Sequence, residues 1–203
     1  MRIIDITREL TAAPVYPGDT VPSLRRLKSI EDGEEYNYSQ ITMGAHSGTH
    51  ADAPLHFISG TPDALALPPS VLIGECTVIE VPEGLITGDY VERHFPRKRE
   101  RLLLKSGGGG SELSPDAAEL IADSGIRLIG TEALSIGAEG GERKTHIALL
   151  RRGVVILESL CMDGVKPGKY FLVAAPLKIA GAEAAPARVF LLGDYIFWTG
   201  TVL

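Results

Sequence analysis

Short apolar, β-branched runs recur along the chain, each bounded by glycine, proline or polar residues. They predict strands over residues 2–7, 36–43, 76–81, 101–105, 127–130, 170–174 and 189–192, and a last one at 195–198. Val154, Val155, Ile156 and Leu157 form a further strand that ends at Glu158. Helical signals are fewer. Ser114, Pro115 and Asp116 supply an N-cap, a first-turn proline and an acid at the positive end of a helix dipole. Ala117, Leu120 and Ile121 then share one apolar face, and Gly125 supplies the stop. Residues 142–152 read as a second helix and residues 87–94 as a short helix or turn. Strand, helix and strand follow one another between residues 101 and 130, so the pattern predicts a mixed α/β chain.

Composition narrows this picture. A chain of 203 residues with 44% hydrophobic and 23% charged residues is a globule with one core, read here as a single domain over residues 1–203. A net charge of -6 gives no electrostatic footprint for nucleic acid. The short basic run Arg97, Lys98, Arg99 reads as a solvated turn. No apolar run approaches the ~18 residues of a membrane span, and no leader-like segment stands out, so the expected location is the cytoplasm. Cys76 and Cys161 stand far apart in apolar settings and read as small buried hydrophobes. Phe197 and Trp198 read as core or subunit-interface aromatics.

Candidate chemistry concentrates in one stretch. Three of the five histidines lie between Gly44 and Phe57, where His46, His50, Asp52 and His56 fall within eleven residues. Neutral imidazoles and a carboxylate are ligands for zinc, manganese and iron alike. Gly48 and Pro54 interrupt extended structure, so the four groups are expected to converge through a folded loop. Farther on, a carboxylate after four aliphatic residues is expensive to bury unless it is paired or metal-bound, so Glu158 requires a partner. Glu132 reads as a structural hydrogen-bond acceptor, and His94 as a surface or packing residue.

The pattern His-x-Gly-Thr-His-x-Asp-x-Pro-x-His-Phe, filled by His46, Gly48, Thr49, His50, Asp52, Pro54, His56 and Phe57, resembles the signature of the cyclase family of metal-dependent hydrolases. Bacterial kynurenine formamidase is that family's best-known activity. The resemblance extends to His146, to the Val-Ile-Leu-Glu run ending at Glu158, and to residues 176–179 and 185–188. It implies a three-layer β/β/α swivelling-type domain with a mixed sheet core, assembled as a homodimer or homotetramer.

The resemblance further implies two divalent ions, zinc with manganese or iron as alternatives. His46, His50 and Asp52 would hold one, and Asp52, His146 and Glu158 the other. Such a pair would generate a hydroxide nucleophile at neutral pH, with His56 left as proton shuttle. The implied small-molecule substrate is an aryl formamide, N-formylkynurenine being the named candidate. The alternatives are ring opening of a cyclic amide such as isatin, or a metal-binding protein without catalysis. Tyr16, in Pro-Val-Tyr-Pro-Gly-Asp, resembles the aromatic of a Trp-Pro-Gly-Asp segment that lines the family's substrate pocket. Residues 107–111, four glycines and a serine, read as a flexible linker where the family has a longer polar and aromatic loop, as an engineered loop replacement would.

Overall fold

The computed structural model describes residues 1–194, so the strand expected at 195–198, with Phe197 and Trp198, lies outside the described residues. The chain opens with β1 (Arg2–Asp5), the paired strands β2 (Ser23–Lys28) and β3 (Tyr38–Thr42), and the three-residue β4 (His50–Asp52). Next come α1 (Pro69–Leu72), β5 (Ile73–Glu80), β6 (Gly84–Ile86), α2 (Gly88–His94), β7 (Arg101–Lys105) and β8 (Ser111–Leu113). The remaining elements are α3 (Pro115–Asp123), β9 (Leu128–Thr131), α4 (Glu142–Arg151), β10 (Val155–Glu158), β11 (Gly168–Pro176) and β12 (Ala184–Gly193).

Seven strands close on themselves in the order β12, β11, β5, β7, β9, β10, β4 and back to β12. β5, β7, β9 and β10 run parallel, while β4, β11 and β12 pair antiparallel with their neighbours. β1 pairs with the far end of β12, beyond the residues that pair with β4. The mixed α/β class expected from the sequence is therefore present, with a mostly sheet core.

Alternation along the strands explains why Leu102, Leu103 and Leu104 are apolar without interruption. Leu103 joins Leu128, Leu157, Leu172 and Leu191 in a cluster drawn from all seven strands, which places it inside the closed sheet. Leu102 and Leu104 turn outward with Ile129 and Ile156, where Ala117, Ala118 and Ile121 of α3 and Leu149 of α4 cover them. A strand buried on both faces shows no period-two polarity. The serine cap of α3 forms as expected, with Ser114 Oγ accepting from Ala117 N–H at 3.4 Å.

The strand expected at 36–43 forms as β3 and does not join the main sheet: it pairs with β2 alone, in a ribbon that leaves Leu24 57% and Ile41 55% exposed. Its alternation is real, but alternation identifies a strand and not its partner. Residues 107–111 are not the free linker expected. The Ser106 and Gly108 N–H groups donate to the buried Glu132 carboxylate at 2.7 and 3.4 Å, and Met162 N–H donates to its other oxygen at 3.1 Å. Gly110 has φ +86°, and a Cβ there would lie 2.6 Å from the Ala133 backbone. Ser111 already opens β8, which pairs with β6. Of the two cysteines, Cys76 is buried and Cys161 only half-buried, beside Asp163.

Candidate metal centre

β4 is the short seam that closes the sheet, and it carries the centre of the site. His50 and Asp52 lie two residues apart on one strand, so they share a face, and Ala51 between them points into the core. Across the antiparallel pair, Glu158 stands opposite His50 and Ile156 opposite Asp52. The face that holds His50, Asp52 and Glu158 is the outer one, toward α4, which contributes His146. The expected folded loop therefore accounts for only two of the four clustered groups. His46 sits in the turn before β4, and His56 ends a 3-10 turn, Pro54–His56, after it.

Two residues of the motif fix this geometry without touching its centre. Gly48 adopts φ +62°, the left-handed region that glycine tolerates, and its carbonyl accepts from His50 Nδ1 at 2.8 Å. Thr49 Oγ1 donates to the Ser159 carbonyl at 2.6 Å and accepts from Arg8 N–H at 3.0 Å, tying the start of β4 to the end of β10.

His146 Nδ1 likewise donates to a backbone carbonyl, that of Glu142, at 2.8 Å. Both imidazoles thus hold Nδ1–H, and in the neutral tautomer each presents the Nε2 lone pair. Those nitrogens face carboxylate oxygens. His50 Nε2 is 3.2 Å from Glu158 Oε2 and 3.5 Å from Asp52 Oδ1. His146 Nε2 is 3.2 Å from Glu158 Oε1 and 3.7 Å from Asp52 Oδ2. His46 Nδ1 approaches Asp52 Oδ1 at 3.2 Å, while its Nε2 is 3.5 Å from Glu183. A lone pair facing a lone pair is repulsive unless a proton or a cation lies between them.

Without a metal the protein answers with protons. Burial pushes the His50 pKa down, but its hydrogen bond to Glu158 and the charges of Asp52 and Glu158 push it up further, to about 9. His146 behaves the same way and also reaches about 9. Burial opposes the charge of Glu158, yet hydrogen bonds from His146 and His50 hold its carboxyl well below the usual range. Ile136 N–H adds a bond to Glu158 at 2.7 Å.

The donor set fits a divalent cation. Asp52 is fully buried, and neither of its oxygens has a hydrogen-bond partner. An isolated carboxylate in that state is strongly disfavoured. Ligand atoms of His50, Asp52 and Glu158 lie within 4.8 Å of one another, as do those of His46, Asp52 and His56. Asp52 belongs to both sets. The second set differs from the expected one, because it pairs His46 with His56 rather than with His50.

His56 packs its ring against His46 and Phe57, both at 4.2 Å between centroids. Burial is the largest influence on it and lowers its pKa below the ordinary 6.5, with Asp52 opposing.

These groups line a cavity of about 200 Å³, and Tyr16, Asp19 and Glu142 form part of its outer wall. Tyr16 donates its hydroxyl to Glu142 Oε1. That hydrogen bond, followed by burial and the charges of Glu142, Glu139 and Glu112, raises the phenol to about 12.

Ser159, on the same wall, was not anticipated. It has φ +56°, is 1% exposed, and its Oγ is buried without a partner. A serine gives no advance sign of left-handed backbone, so only the fold reveals it. Glu142 and Glu183 were not anticipated as site residues either.

The family model described as "Putative cyclase" matches residues 4–138, more than half of the chain. The chain belongs to the cyclase family. A kynurenine formamidase of Salinibacter ruber is 34% identical to it over 206 residues, covering 94% of this chain and 97% of that one. The fold is similar to that of a structure from Bacillus stearothermophilus described as a predicted metal-dependent hydrolase. It has TM-score 0.81 and 32% identity, covering 94% of this chain and 97% of the other. Isatin hydrolase A of Labrenzia aggregata, solved with benzyl benzoate, has TM-score 0.78 and 25% identity, covering 94% and 93%. His146 and Glu158 lie beyond the segment matched by the cyclase model, and the fold brings them to its histidines.

Proposed function

We propose that the chain is a metal-dependent amide hydrolase, an aryl formamidase that cleaves N-formylkynurenine to kynurenine and formate. The observation that carries this reading is the buried Asp52 carboxylate, without a hydrogen-bond partner and faced by His46, His50 and His146, the last two oriented through Nδ1 by backbone carbonyls. The formamidase relative supports the substrate class.

In this reading His46, His50 and Asp52 would hold one ion, and Asp52, His146 and Glu158 a second, zinc being the ion proposed. A divalent ion there would supply Lewis acidity toward water and the scissile carbonyl. His56 takes a proton from the attacking water and delivers it to the amine nitrogen as the C–N bond breaks and the new C–O bond forms. Its lowered pKa keeps it neutral, and hence basic, at neutral pH. Tyr16 lines the substrate side, and the cavity of about 200 Å³ admits one substituted aromatic ring, since about 150 Å³ accommodates benzene.

A second reading, ring opening of an isatin-type cyclic amide by the same groups, is favoured by the similarity to isatin hydrolase A. The zinc-loaded protein should hydrolyse N-formylkynurenine faster than isatin, with metal content measured on the same sample. Faster isatin turnover would replace the first reading with the second. No turnover of either by fully loaded protein would leave a metal-binding protein without catalysis.

We also propose a homodimer or homotetramer, supported by the exposed apolar residues of the β2–β3 ribbon. A cytoplasmic location is supported by the lack, among the described residues, of any helix long and apolar enough to cross a membrane. We further propose a three-layer β/β/α swivelling-type arrangement, supported by helices that cover the outer face of the closed sheet.

A further inference from the structure

His46 is turned the opposite way from the other two imidazoles that face Asp52. His50 and His146 donate Nδ1–H to the carbonyls of Gly48 and Glu142, at 2.8 Å each, so backbone atoms fix those rings and leave Nε2 for a cation. In His46 it is Nδ1 that faces Asp52 Oδ1, at 3.2 Å. Its Nε2 is buried, has no hydrogen bond among the described residues, and faces the Glu183 carboxylate, whose Oε1 lies 3.5 Å away. A neutral imidazole carries one ring proton, so a His46 that offers Nδ1 to a cation holds its proton on Nε2, toward Glu183.

The backbone keeps Glu183 at that nitrogen. Ala184 stands opposite Asp52 in the β12–β4 pair, and Ala53 N–H donates to the Glu183 carbonyl at 2.9 Å. The loop before it is tied twice more, Ala64 N–H donating to the Ala182 carbonyl at 2.8 Å and Gly181 N–H to Asp63 Oδ2 at 2.6 Å. The Glu183 side chain itself is 43% exposed and lies outside the lining of the substrate cavity, so it answers to His46 and not to substrate.

We propose that Glu183 is a positioning residue for the metal centre: its carboxylate accepts Nε2–H of His46 and thereby presents Nδ1, and not Nε2, to the ion shared with His50 and Asp52. The proposal rests on the metal-dependent reading and adds to it a residue outside the ligand set. The exposed carboxylate closes the separation to about 2.7–2.9 Å, the length of a charge-assisted hydrogen bond. Such a partner fixes the ring and strengthens the bound nitrogen as a donor. The two ions are then unequal: backbone carbonyls orient His146 for one, whereas the other depends on a replaceable side chain.

The test is read without turnover. In zinc-loaded, 15N-labelled protein, long-range 1H–15N spectra of the imidazoles should show His46 protonated on Nε2, and His50 and His146 on Nδ1. Zinc titration against a competing chelator should show that Glu183→Ala weakens one of two binding steps about 10–100-fold and leaves the other in place. Glu183→Gln, which keeps an acceptor oxygen without the charge, should lose less. The thermal stability of metal-free protein should be the same in both variants as in the wild type, because the Ala53 bond uses the backbone of residue 183. His46 protonated on Nδ1, His46 signals unmoved by zinc, or wild-type affinity at both steps in Glu183→Ala overturns the proposal. Should that variant fail to fold, the wild-type spectra decide alone. Zinc bound with the expected His46 tautomer but no hydrolysis of any amide would sink the hydrolase reading and leave this one standing.

Discussion

Removing the metal tests the electrostatics of the site most directly. In metal-free protein His50 and His146 stand in for the cation by keeping their own protons, with pKa values raised to about 9 from an ordinary 6.5. For a group whose folded pKa is raised, the stabilisation is fully present below the unfolded value and is lost as pH rises through the folded one. Stability of the metal-free protein should therefore be greatest near pH 6 and fall between about 6.5 and 9. The limiting slope is about 1.4 kcal/mol per pH unit for each proton kept. Glu158, held below the usual carboxylate range, stays ionised across this window and contributes no slope.

Metal ions displace those protons, so binding strengthens over the same interval. Zinc at a hundredfold excess over its dissociation constant contributes about 2.7 kcal/mol, or about 5–11 °C in Tm for a chain of this length. Thermal melts with zinc and with chelator, at pH 6 and pH 8.5, would measure both effects. The gap between loaded and metal-free Tm should widen at the higher pH. Metal-free stability that stays flat or rises over this range, or a gap that narrows, would refute the account of the two imidazoles.

Other expectations are more local. His56→Ala should retain zinc by elemental analysis yet lose at least about a hundredfold in kcat; loss of the metal instead would move His56 into the ligand set with His46 and Asp52. Wild-type kcat/KM should lose activity on an acidic limb whose midpoint lies below 6.5, and a limb centred above 6.5 would contradict the lowered His56 pKa. Thr49→Val removes the bonds to Ser159 and Arg8, and should cost about 1–3 kcal/mol by denaturant melts. Gly110→Ala forces a Cβ against the Ala133 backbone in left-handed geometry and should cost more than about 1 kcal/mol, whereas Gly107→Ala, with open space around it, should cost less.

The legible part of the site was the part written locally. His46, His50, Asp52 and His56 cluster in sequence because a turn, a three-residue strand and a 3-10 turn bring them together over a short span. Glu158 was legible for a different reason: burial of a carboxylate after aliphatics demands a partner. What could not be read was register. His50 meets Glu158 only because β4 pairs with β10 in one particular alignment, and period-two alternation carries no information about which strand lies alongside. The same limit leaves the pairing of β3 with β2 alone unreadable from its alternation. The glycines at 107–110 looked flexible because composition records the freedom of the backbone but not the Glu132 carboxylate that removes it.

The seam at β4 has a consequence for how the molecule comes apart. The closed sheet is joined along nine and ten residues in β11 and β12, but β4 contributes only three. Its partners lie more than a hundred positions later in the chain, so this join closes late in folding and is the natural place for the ring to open. An ion held between β4 and β10 crosses that join. Its presence should slow spontaneous opening more than it speeds assembly, making the cofactor a rivet for the lifetime of the native state.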